Sequence, residues 1–106
     1  MESFPESKSF DWDQGNINKN WDKHRVHHLE CEEIFFNEPI VTKVEKRGVS
    51  QEERVSALGV TNEGRFLFVV FTIRRGRIRV VSARDMNKQE RKIYHEKIKE
   101  DAEIQK

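Results

Sequence analysis

No second cysteine accompanies Cys31, so the chain can form no intrachain disulfide, and a reducing compartment is expected. No hydrophobic run approaches the length that spans a membrane; the longest apolar stretch is Phe66 to Phe71. The first residues lack the basic-then-apolar pattern of a secretory signal. Together these absences lead to the expectation of a cytoplasmic protein without a membrane partner. Also missing are a glycine-rich phosphate loop, a nucleophile elbow and a paired-carboxylate motif, which argues against nucleotide hydrolases and glycosidases. The net charge is only +1, so the molecule as a whole is not an obvious polyanion binder.

What is present is unevenly distributed. Of the 106 residues, 35% are hydrophobic and 37% charged, but the apolar residues cluster and seven are Phe, enough for one core. From Arg65 to Arg84 there are six arginines, with no lysine and no acid. A near-neutral chain with one purely arginine-bearing segment carries a local anion site, unless nearby glutamates neutralise it. Residues 1–9 are polar and contain Pro5, and they are expected to be a flexible tail before a single domain at 10–106.

Phe10 to Asp13 alternates aromatic and acidic residues, as a short extended segment. Asp13 or Asn16 can cap a helix that presents Ile17, Trp21 and His24 and ends near Arg25-Val26. His28 to Asn37 reads as a second helix, closed by Glu38-Pro39. Strands are expected at Ile40–Lys46, Arg54–Val60, Phe66–Ile73 and Arg77–Ser82, with a charged loop at Lys46–Glu53. The wholly apolar third strand should be central. Gly64 serves one turn, and Arg74-Arg75-Gly76 the next. A last helix runs from Lys88 towards Glu103, with Asn87 and Glu90 as a capping box. The expected fold is therefore α+β: two N-terminal helices, a four-stranded antiparallel meander and a C-terminal helix.

Three constellations could carry chemistry. His24, His27, His28 and Cys31 would share one face of a continuous helix and could ligate zinc. The predicted break near Arg25 disrupts that spacing, so neither a metal nor any other cofactor is expected. Cys31, among glutamates and apolar neighbours, suits a small buried hydrophobe better than a nucleophile. The third constellation is the strand-to-helix corner from Arg77 to Tyr94, which gathers Arg79, Arg84, Arg91 and Tyr94. Metal-free RNA cleavage needs a 2′-hydroxyl deprotonated, a leaving 5′-oxygen protonated and phosphorane charge stabilised. Arginine grips phosphate at two points, and histidine or glutamate can move the proton.

The order of residues resembles the BrnT family of toxins. Trp12-Asp13, Asn20, Lys23-His24, Glu30 and Phe35 are similar to its opening. Glu53-Arg54, Ala57-Leu58-Gly59, Phe66 to Thr72, the segment Ile78 to Arg84, then Glu90-Arg91 and Tyr94, are similar to the remainder. The resemblance implies a RelE-like fold and a metal-independent endoribonuclease that inhibits translation as the toxin of a type II toxin–antitoxin pair. It implies a BrnA-like ribbon-helix-helix antitoxin as partner, DNA contact only through that complex, and a 2:2 heterotetramer as one stoichiometry. The catalytic candidates it implies are His24, Glu53, Arg54, Arg79, Arg84 and Tyr94. Lys23, Arg74, Arg75, Arg77 and Arg91 are the companion RNA-binding candidates. The chain departs from the family pattern at Arg25, where glycine is usual, and at Asn16, where lysine is frequent. The alternative is a catalytically weakened RelE-like module acting mainly as the antitoxin's partner.

Overall fold

A computed structural model describes residues 9–45 and 52–104. The chain order is α1 (Gln14–His24), α2 (His28–Ile34), β1 (Val41–Val44), β2 (Val55–Val60), β3 (Phe66–Arg74), β4 (Arg77–Asp85) and α3 (Lys88–Ile104). The strands form one antiparallel sheet in the order β1-β2-β3-β4, the expected meander. Most of the expected tail, and residues 46–51 of the charged loop, lie outside the described residues.

Alternation along the strands builds two unequal cores. Ala57, Leu67, Val69, Phe71, Ile78 and Val80 face the N-terminal helices and pack with Val26, Cys31, Ile34 and Phe35. Gly59 belongs to this contact: a Cβ there would lie 2.7 Å from Ile34 Cβ, so α2 sits on β2 only because the side chain is absent. The opposite face carries a smaller cluster of Leu58, Met86 and Tyr94, flanked by Val60, Phe66 and Phe68.

β3 and β4 are joined by Arg75 (φ 55°) and Gly76 (φ 75°), a two-residue turn with both φ values positive, which suits the twist of a hairpin. The ladder then slips. Val70 pairs with Ser82 and Phe71 with Val80, leaving Val81 as an extra residue, a β-bulge. β4 runs three residues further than expected, to Asp85.

β4 is an edge strand, and its outer backbone groups are satisfied by the N-terminal segment. Phe10 makes a parallel bridge to Ile78, with Ile78 N–H donating to Ser9 O (2.9 Å) and Asp11 N–H to Ile78 O (2.8 Å). Further along, Asn16 Nδ2 donates to Val80 O (3.4 Å) and Ala83 N–H to Asn20 Oδ1 (3.0 Å). This need reverses the expected orientation of α1. Its buried residues are Asn16 and Asn20, whereas Trp21 is 45% exposed and His24 is exposed. An edge strand wants amide partners, and asparagines at i and i+4 supply a donor and an acceptor. α2 is also shorter than expected. Phe35 N–H and Phe36 N–H turn back to Glu32 O and Glu33 O, the tighter bonding that closes a helix end.

Candidate nucleic-acid interface

At one end of the sheet, between β4 and the start of α1, lies a cleft of about 370 Å³. Arg54, Arg74 and Arg79 line it, with Lys19 from α1 and the carboxylates of Asp13 and Glu52. β2 delivers Arg54 from just before its first residue, and Thr72 lies across from Arg79 on β3. Three of the expected residues thus meet here.

The charges in the cleft are not equivalent. Arg79 donates to Asp13 Oδ2 at 2.8 Å and lies 3.5 Å from Asp11 Oδ1. Arg74 makes a forked pair with Glu52, its Nε and Nη2 donating at 3.1 and 3.0 Å. Asp13 is the N-cap of α1 and is held below the usual carboxylate range, first by the Asn16 N–H and then by Arg79. Lys19 Nζ donates to Val81 O at 3.1 Å. Among the described residues, neither Arg54 nor Lys19 has a carboxylate partner, so both keep an uncompensated charge for an incoming anion.

Arg84 leaves the same sheet face at the other end of β4. Its Nη1 and Nη2 donate to the two oxygens of Glu90 at 2.8 and 2.9 Å, and its guanidinium lies 4.1 Å from the centroid of Phe68. By register Arg79 stands opposite Thr72 and Arg84 opposite Phe68. Four residues of β3 separate those partners, about 13 Å along the strand. The expected corner of four side chains is therefore spread out. Tyr94 lies inside the smaller core, fully buried, its hydroxyl donating to Pro39 O at 2.7 Å. Arg91 is exposed on α3 and donates to Met86 O at 2.9 Å.

The remaining candidates are dispersed. Glu53 is exposed and is not among the cleft's lining residues; its carbonyl accepts from Thr72 Oγ1 at 2.8 Å. Arg75 occupies the hairpin turn, and Arg77 donates to Phe10 O. Lys23 is exposed on the last turn of α1, and His24 ends that helix. Arg65, which pairs with Asp85, also donates to the His24 carbonyl, so the end of α1 lies at the Arg84 end of β4.

That end is organised by Arg65, which the sequence pattern did not single out for a role. It donates to Asp85 Oδ1 (2.7 Å), Glu30 Oε1 (3.0 Å) and the carbonyls of Arg25 (3.0 Å) and His24 (3.3 Å). Cation and helix C-terminus are complementary, so the end of α1 is clamped to β3 and β4. Lys19, Asp11 and Asp13 were also missed as site residues, because their relation to the sheet depends on how α1 lies along β4.

The histidines do not form a ligand set. His27 caps α2 by accepting Leu29 N–H at Nδ1 (3.1 Å), and its ring stacks on His28 at 4.6 Å. Cys31 is fully buried, and burial pushes its thiol up to about 12. Among the described residues, no group of three histidine, cysteine or acidic side chains could hold a metal ion.

A sequence model described as the ribonuclease toxin, BrnT, of type II toxin–antitoxin systems matches residues 12–90. The chain belongs to the BrnT family. None of the curated proteins matches it. Among solved structures it is similar to the ribonuclease toxin BrnT of Brucella abortus, with a TM-score of 0.54 and 20% identity. The alignment covers 77% of this chain and all of that one.

The two departures from the BrnT pattern have local explanations. Arg25 takes the left-handed conformation (φ 55°, ψ 39°) that glycine would adopt more easily, and its guanidinium lies 5.3 Å from the centroid of Trp21. The Asn16 side chain accepts from Asp13 N–H and donates to Val80 O, so a lysine at this position would lose both side-chain contacts.

Proposed function

We propose that this BrnT protein is a cytoplasmic, metal-independent endoribonuclease that inhibits translation by cutting RNA. The observation that carries this is the cleft in which Arg54 and Lys19 keep unpaired charge beside the anchored Arg79. RNA crosses the open sheet face from Arg79 towards Arg84. Arg54 and Arg79 grip the scissile phosphate and stabilise the phosphorane charge. Asp13 and Asp11 orient Arg79. Glu53 is adjacent to Arg54 in the chain and has no arginine partner among the described residues. It accepts the 2′-hydroxyl proton, and the leaving 5′-oxygen takes its proton from solvent. Lys23, Arg74, Arg75 and Arg77 contact the flanking backbone.

The partner is a BrnA-like ribbon-helix-helix antitoxin whose acidic segment covers the cleft, in a 2:2 heterotetramer that meets DNA only through the antitoxin. The ion pairs already made by Arg79 and Arg84 favour a second reading, a weakened enzyme that serves mainly as antitoxin partner. One assay separates them. Folded protein expressed alone should arrest growth and cut RNA in excess EDTA. Intact RNA, or cutting that requires a divalent ion, would refute the metal-independent enzyme; intact RNA with retained antitoxin binding would establish the second reading.

A further inference from the structure

The sheet arginines that make the sequence look anion-binding are largely neutralised within the protein. Arg65, Arg74, Arg79 and Arg84 all have carboxylate partners. Besides Arg54 and Lys19 in the cleft, a second group of cations lies on α3. Lys88, Arg91, Lys92, His95 and Lys99 line one open groove along α3, of about 760 Å³. Their spacing of three and four residues puts them on one side of the helix. Among the described residues, none of Lys88, Arg91, Lys92 and Lys99 has a carboxylate partner, and Glu96 is the one acid that lines the groove. Lys97, by contrast, faces Glu100 and Asp101 at 3.8 and 3.9 Å. The groove side of the helix therefore carries an excess of positive charge.

We propose that this face of α3 is a second nucleic-acid contact, a track that holds the single-stranded RNA backbone as it leaves the sheet. Three observations favour RNA as occupant. Among the described residues, the groove carries four cations without a carboxylate partner, which match a repeating polyanion better than one small anion. It extends from Lys88 to Lys99, about 17 Å of helix, so it suits an extended strand. It also continues the proposed site: Glu90, adjacent to Arg91, is the residue that holds Arg84. His95 adds a ring that packs 5.1 Å from the centroid of Phe66, at the border between groove and sheet face.

The inference rests on the RNA-cutting reading, but it can fail independently. The test uses the full chain and two RNAs, a 30-nucleotide single strand and a four-nucleotide fragment too short to reach α3. Lys92→Ala/Lys99→Ala is compared with wild type by binding across a salt series and by cleavage. For the long RNA, the slope of log K against log[salt] should become shallower by about 1.4, at 0.7 for each lost phosphate contact. KM should rise on the long RNA with kcat unchanged, and cutting of the short RNA should be unaffected. Lys92→Arg/Lys99→Arg should restore the slope. An unchanged slope and KM on the long RNA, with wild type cutting normally, overturns the track and leaves the enzyme standing. An α3-dependent slope without any cutting supports the track and refutes the enzyme. An unchanged RNA slope with lost binding of the antitoxin also overturns the track, because the face then belongs to an acidic protein. A wild type that neither binds nor cuts RNA overturns both.

Discussion

Arg79 and Arg84 project from the same face of the sheet although their positions differ by five, an odd number. In a regular strand such residues point to opposite faces. The bulge at Val81 inserts one residue between them, so that Arg79 stands opposite Thr72 and Arg84 opposite Phe68. One irregularity in β4 thus puts the two arginines on one face of the sheet.

Glu90 secures one of them. Its carboxylate accepts both Arg84 donors and the Asn87 N–H, at 2.8, 2.9 and 2.9 Å, and is held below the usual value of 4.5 chiefly by Arg84. A depressed folded-state pKa contributes stability above the unfolded value, and that stability is lost as pH falls from about 4.5 through the folded value. Glu90→Gln should lower stability at pH 7 by about 1–2 kcal/mol. Urea unfolding should show the gap between variant and wild type narrowing below pH 4.

Tyr94 is buried in the smaller core with its hydroxyl on Pro39 O. Tyr94→Phe should cost about 1 kcal/mol by leaving Pro39 O without its donor, and Tyr94→Ala about 3–5 kcal/mol. RNA cleavage per folded molecule should be unchanged in Tyr94→Phe. A hundredfold loss of cleavage at unaltered stability would instead place the hydroxyl in the chemistry.

Cys31 combines complete burial with a thiol raised to about 12, so at pH 8 it should resist a thiol-specific disulfide reagent in the native state. Labelling should occur at the rate of unfolding and accelerate with urea. Fast labelling in native buffer would mean that α2 leaves the sheet readily.

Gly59→Ala should destabilise by about 1–3 kcal/mol, because its Cβ would meet Ile34 Cβ at 2.7 Å. Trimming the neighbour should recover part of this loss. In thermal unfolding, Gly59→Ala with Ile34→Val should cost less than the sum of the two single changes.

Much of the fold was legible because its signals are local. The Asn87–Glu90 capping box, the Gly64 turn and the second strand all appear as read. The orientation of α1 was not legible. Helical spacing favoured Ile17 and Trp21 as the inward residues, but the unsatisfied edge of β4 draws in Asn16 and Asn20. The bulge was hidden because neither Val70 nor Val81 advertises a slipped register. The cleft followed the same rule. Arg54, Arg74 and Arg79 were visible as arginines, but the pairing of Arg74 with Glu52 and of Arg79 with Asp13 depends on tertiary placement. Tyr94 was read as a catalytic candidate, and only the fold shows it buried with its hydroxyl already engaged.

The most direct test is cleavage of single-stranded RNA in excess EDTA by wild type, Arg54→Ala and Arg79→Ala, with circular dichroism as the check on folding. Wild type should cut. Each folded variant should lose about a hundredfold or more in kcat/KM, as expected when a donor that stabilises transition-state charge is removed. Variants that cut as fast as wild type would contradict the assignment of the cleft.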